Sequence, residues 1–135
     1  MAARRGIAFH RACFEALVVI DSLAVGGEGA AATIAQRTPN DPPPPHLADE
    51  LENLIQMLPQ LDTALQEALG SRNRKLSLLG RPERAAMRYG AWLLLGPRKM
   101  DIPLASSIAA DLVDRYGEAN ARPLVQGCLS FLASR

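Results

Sequence analysis

The sequence predicts an all-α domain, and three observations carry that expectation. Leu47, Leu51, Leu54, Leu58, Leu61, Leu65 and Leu69 recur every three or four positions, the repeat of one helix face. Gly and Pro punctuate the second half where helices should start and stop, at Gly80-Arg81-Pro82, Gly96-Pro97, Asp101-Ile102-Pro103 and Gly117. The β-branched run Val18-Val19-Ile20 suits a strand, but no second strand-like stretch is present to pair with it. A length of 135 residues is enough for one domain with a real core and too short for two ordinary ones.

The first helix is expected over 7–24, with Ile7, Ala8, Ala12, Phe14, Leu17, Val18 and Leu23 largely on one side. Gly26-Gly27 ends it, since Gly accepts the backbone geometry of a helix terminus. Residues 25–45 read as a Gly/Pro-rich connection. Its first part can hold a short Ala-rich helix, whereas Pro42–Pro45 favour an extended strap. Such a run can also serve as a ligand for a proline-reading domain. The leucine stripe then marks a helix over 46–69, as a bundle core or, alternatively, a dimer seam. Pro59 inside it removes one backbone hydrogen bond and should kink or split the helix near Gln56–Leu58.

Leu76, Leu78 and Leu79 should anchor the following link to the core. The helix from Arg81 to Leu95 is apolar on most sides, so it should be central and most buried, with Trp92 in the core. Gly90 within it is best explained by close approach of a neighbouring helix. In the next helix Asp101 can cap the free amides, and Leu104, Ile108, Leu112 and Tyr116 should form the inner edge. Asn120 can cap the last helix, with Leu124, Val125, Cys128, Leu129 and Leu132 on its buried face. Five to seven helices in one domain over 1–135 follow from this pattern.

The charge pattern says more than the net charge of +1. Residues 41–69 hold six acids and no Lys or Arg, whereas 72–99 hold eight bases against Glu83 alone. Such a basic segment can be the footprint of an anionic partner, or one of two solvated faces that attract each other across the fold. Cys13 and Cys128 lie in apolar helical settings and are expected to be buried, reduced thiols. The longest apolar runs are far below the roughly 18 residues that span a bilayer, and no secretory signal opens the chain. A cytoplasmic protein is expected, without a membrane partner.

Catalytic chemistry is not indicated. His10 and His46 are the only histidines, and neither has a Cys or His partner at zinc-ligand spacing. The chain has no phosphate loop of the GxxxxGKS kind and no GxSxG turn. Asp49-Glu50 and Asp111/Asp114 sit at ordinary helix-surface spacing. A non-enzyme with no cofactor and no metal is expected, and the question becomes one of binding.

Leu79-Gly80, Glu83-Arg84-Ala85, Arg88, Trp92-Leu93-Leu94, Asp101-Ile102-Pro103, Tyr116-Gly117 and Leu124-Val125-Gln126-Gly127-Cys128-Leu129 follow one another in a specific order. Together with Ala3-Arg4-Arg5 and Ala16-Leu17 at the other end, they resemble the NusB family of transcription antitermination factors. The resemblance implies an all-helical fold of two packed sub-bundles. It implies binding of boxA-type single-stranded RNA in ribosomal leaders, together with the NusE-type small-subunit ribosomal protein, and loading onto an RNA polymerase antitermination complex. Carried over residue by residue, it implies RNA contacts at Arg4, Arg5, Arg11, Asn120, Arg122 and Leu124, and a contact to the NusE-type partner at Glu83. A homodimer that hides the RNA surface is also known in the family.

The chain departs from the pattern at four places. Val18 stands for the family's Tyr, Leu124 for its Phe, Asn120 for its Asp and Gln126 for its Asn. Loss of two stacking aromatics costs about 1–3 kcal/mol per base contact. These departures motivate a second expectation: a protein-interaction scaffold, related to the helical domain of ribosomal-RNA methyltransferases, with RNA binding weakened or lost.

Overall fold

In the computed structural model, which describes residues 6–23, 47–118 and 120–134, the regular elements among the described residues are all helical. They are α1 (Gly6–Leu23), α2 (Leu47–Gly70), a 3-10 turn (Leu76–Leu78), α3 (Arg81–Leu95), α4 (Ile102–Tyr116) and α5 (Arg122–Ala133). The connection expected over 25–45 lies outside the described residues, as do Arg4 and Arg5. No helix among the described residues is long and apolar enough to cross a membrane.

The chain divides into two compact units, Met1–Gln56 and Met57–Arg135. In the first, α1 buries Phe9, Ala12, Cys13, Phe14, Ala16, Leu17 and Val19. Val18, expected inside, is only half-buried. Leu47, Leu51 and Leu54 of α2 are buried in the same unit.

The leucine stripe continues into the second unit with Leu61, Leu65 and Leu69, all fully buried. Pro59 does not split α2, which runs unbroken past it. The Pro59 carbonyl accepts a second hydrogen bond, from Thr63 Oγ1 at 2.9 Å. Leu58, beside the proline, is the one member of the stripe that is only half-buried. The division between the units falls at Gln56–Met57, within a turn of Pro59.

α3 is the central helix of the second unit, buried on most sides from Ala85 to Leu93. Tyr89, Met87, Trp92 and Leu93 are fully buried, and Arg98 lies over the Trp92 ring at 5.6 Å from its centre. α3, α4 and α5 all pack on one another. At Gly90 they come close together: a Cβ there would lie 2.7 Å from Leu129 Cδ1 of α5 and 3.0 Å from Ala109 Cβ of α4.

That close approach corrects the expected inner edge of α4. Its buried residues are Ala105, Ala109, Ala110, Leu112 and Val113. Leu104 and Tyr116 are 53% and 37% exposed, and Ile108 is half-buried. Helices this near admit alanines at the seam and leave the larger side chains at its rim. The link before α3 is corrected likewise: Leu76 is buried, Leu79 half-buried, and Leu78 is 79% exposed. The 3-10 turn is instead held by Arg84, whose Nη1 donates to the carbonyls of Leu76 (3.3 Å) and Leu79 (2.9 Å).

Candidate nucleic-acid and partner surface

The turn between α4 and α5 is shaped by what the backbone leaves unpaired there. α4 ends at Gly117, whose N–H donates to the Val113 carbonyl at 2.8 Å. The next N–H, of Glu118, has no helical partner and donates instead to Glu83 Oε2 at 2.7 Å. Glu83 reaches it from the first turn of α3, where a negative charge is favoured by the helix dipole. Its carboxylate is wedged between two glycines. A side chain at Gly80 would collide with Oε1, and one at Gly117 would collide with Oε2. Glu83 is thus only 6% exposed, and it ties the start of α3 to the end of α4.

Neither expected side-chain cap forms. Asp101 occupies the capping position of α4, but its backbone carbonyl does the work, accepting from Ala105 N–H at 2.9 Å. For α5 the cap is Ala121, already helical at φ −82°, ψ −19°. Asn120 therefore falls one residue too early to reach the free amides, and it is exposed in the turn. Half-buried Leu124 lies one turn further on.

Arg122 is not a bare cation. Its Nη1 contacts Asp111 Oδ1 at 3.2 Å and also Asp114 Oδ2, so it bridges α5 to two successive turns of α4. The hydrogen bonds to Asp111 and Asp114 raise the guanidinium's pKa above its usual value. The ordinary i, i+3 spacing of these two acids conceals this role. Exposed pairs of this kind are screened by solvent and hold weakly, so an anion can displace them. Arg11 belongs to the first unit and sits 3.9 Å from Glu15 one turn along α1. Among the site residues expected from sequence, Asn120, Arg122 and Leu124 therefore share one turn and helix start, and Glu83 holds that turn from behind.

The basic run 72–99 resolves into two groups. Arg84 caps the 3-10 turn, Arg98 covers Trp92, and Arg88 forms a two-pronged bridge to Asp62, at 2.9 and 2.8 Å. Arg72, Arg74, Lys75, Arg81 and Lys99 are exposed. Arg72 packs against α5 where Gly127 presents no side chain; a Cβ there would lie 2.8 Å from Arg72 Cζ. Neither Cys13 nor Cys128 is in a disulfide, and both are buried. Burial pushes the Cys128 thiol pKa up, while the nearby charges of Arg72 and Arg74 pull it down.

No family model matches the chain. A solved structure described as a plectonemic RNA supercoil contains a chain of the same fold, with a TM-score of 0.76 at 19% identity, over 94% of this chain and 92% of that one. The transcription antitermination protein NusB of Sorangium cellulosum (strain So ce56) is 30% identical over 122 residues, spanning 87% of this chain and 86% of that protein. An all-helical fold, the ordered motifs from Leu79-Gly80 to Cys128-Leu129 and a relative of that identity over nearly the whole length agree: the chain belongs to the NusB family of transcription antitermination proteins.

Proposed function

We propose that this protein binds boxA-type single-stranded RNA of ribosomal leaders together with a NusE-type ribosomal protein, and that the pair joins an RNA polymerase antitermination complex. Membership of the NusB family carries the reading. The RNA contacts proposed are Arg4, Arg5 and Arg11 in the first unit and Asn120, Arg122 and Leu124 in the second, and the proposed partner contact is Glu83 at the start of α3. The exposed turn at Asn120, followed by a guanidinium held only by surface carboxylates, supports an RNA-facing role. Guanidinium groups displace counterions from phosphates, and single-stranded RNA is read through splayed, stacked bases. The matching fold also occurs in a structure described by its RNA.

One observation favours the second reading, a scaffold that keeps the protein partner and has weakened RNA binding. Val18 and Leu124 stand where stacking aromatics are expected. Fluorescence anisotropy with a boxA-type RNA and a scrambled control, with and without the NusE-type protein, separates the two. The antitermination reading expects preference for boxA that sharpens on adding the partner. Equal, weak, salt-sensitive binding to both RNAs would leave the scaffold. The same assay tests the role of Arg122. Changing Asp111→Asn and Asp114→Asn frees the cation and should tighten RNA binding and steepen its salt dependence by up to about 0.7 in log–log slope, one phosphate contact on a single strand. Unchanged affinity and slope would remove Arg122 from the RNA surface.

A further inference from the structure

The turn that leaves α2 is built with unusual economy. Ser71 Oγ donates to the Ala68 carbonyl at 2.7 Å, and the N–H groups of Arg72 and Arg74 both donate to the Leu69 carbonyl at 2.9 Å. Asn73 adopts φ +57°, a left-handed conformation that Asn tolerates better than most residues. Gln66, back on α2, uses its side-chain amide as a surrogate backbone: Nε2 donates to the Arg74 carbonyl at 3.0 Å, and Oε1 accepts from Leu76 N–H at 2.9 Å. Every one of these contacts fixes backbone, and none occupies the charged side chains. Arg72, Arg74 and Lys75 are exposed, and no carboxylate pairs with them among the described residues.

Arg72 is also aimed. Its guanidinium lies on α5 at Gly127, in space that any side chain at that position would fill. Gly127 is three residues beyond Leu124, and positions three apart on a helix are surface neighbours. Arg72 thus reaches α5 at a position three residues beyond Leu124, on the helix that opens the proposed RNA surface.

We infer that the Ser71–Lys75 turn, with Arg72 seated on Gly127, is a second phosphate-binding element that carries a single-stranded RNA backbone onward from the Asn120–Leu124 surface. This rests on the RNA-binding reading above and extends it to residues outside the expected set. A rigid turn bearing three cations suits a phosphate chain, because its charges are positioned before binding and little order remains to be imposed. It suits a protein partner less well. Ser71, Arg72, Asn73, Arg74 and Lys75 offer no apolar or aromatic anchor of the kind that centres a protein interface.

The test uses the full chain and a boxA-type RNA titrated over a range of salt. Replacing Arg72, Arg74 and Lys75 together with Ala should lower the slope of log affinity against log salt by about 2, about 0.7 for each lost contact. Gly127→Ala is the sharper probe, because it keeps every charge and moves only the flexible end of Arg72. It should weaken RNA binding in the otherwise unchanged protein and have no effect once Arg72 is already Ala, the coupling expected of two residues in contact. Melting curves of both variants should not fall below the parent's, since the substituted arginines and lysine are exposed and Ala suits a helix better than Gly. If the parent prefers boxA but the triple variant keeps its affinity and slope, the turn is not an RNA site, and the antitermination reading stands without it. If the parent shows no boxA preference, the reading fails and this inference with it. Loss of affinity for the NusE-type protein, with RNA binding intact, would assign the turn to a protein partner and overturn the inference.

Discussion

Glu83 shows how a residue proposed as a partner contact can be spent inside the fold. Its carboxylate accepts the Glu118 N–H and fills the gap between Gly80 and Gly117, so truncation removes an internal support as well as any partner contact. Glu83→Ala should lower stability by about 1.5–3 kcal/mol, the usual worth of a hydrogen bond to a charged group. Glu83→Gln, which keeps an acceptor and nearly the same shape, should lose much less. Chemical denaturation of the two variants without partner checks this. Equal losses would mean that charge, not the hydrogen bond, matters at this site. A partner-binding experiment should accordingly use the Gln variant, because a weakened Ala variant would confuse a lost contact with a loosened α4–α5 turn.

At the scale of elements, the sequence was most legible where one helix buries a continuous stripe of large residues. Leu47 to Leu69 located α2 almost to its ends, and the apolar run from Ala85 to Leu95 located the central helix. It was least legible in α4, where the largest residues suggested an inner edge and the alanines took it. The reason lies on the neighbouring helix. Gly90 brings α3 so near that Ala105 and Ala109 are what fits, a fact held by the pair of helices and by neither alone. Gly90→Val should therefore force α4 and α5 outward and cost about 1–3 kcal/mol by overpacking. A Tm equal to that of the parent would show that the seam has slack. The functional turns were legible in the same uneven way. Glycine and proline positions marked where they lie, but the Glu83–Glu118 hydrogen bond, the seat of Arg72 on Gly127 and the hold of Asp111 and Asp114 on Arg122 join residues 8 to 55 positions apart, beyond the reach of local spacing.

For the molecule as a whole, the two units are joined through one helix. α2 contributes Leu47, Leu51 and Leu54 to the first and Leu61, Leu65 and Leu69 to the second, so neither can lose its share of α2 without fraying the other's. Unfolding is expected to be a single cooperative event. The structure supplies its own means of checking, because the only tryptophan in the chain, Trp92, stands at the centre of the second unit beneath Arg98. Its emission is a native optical reporter of that unit alone, whereas far-ultraviolet dichroism averages over every helix. The two signals should lose half their amplitude at the same temperature. If emission changes at a different temperature from dichroism, the shared helix does not couple the units, and light from one buried ring will have shown which of them gives way first.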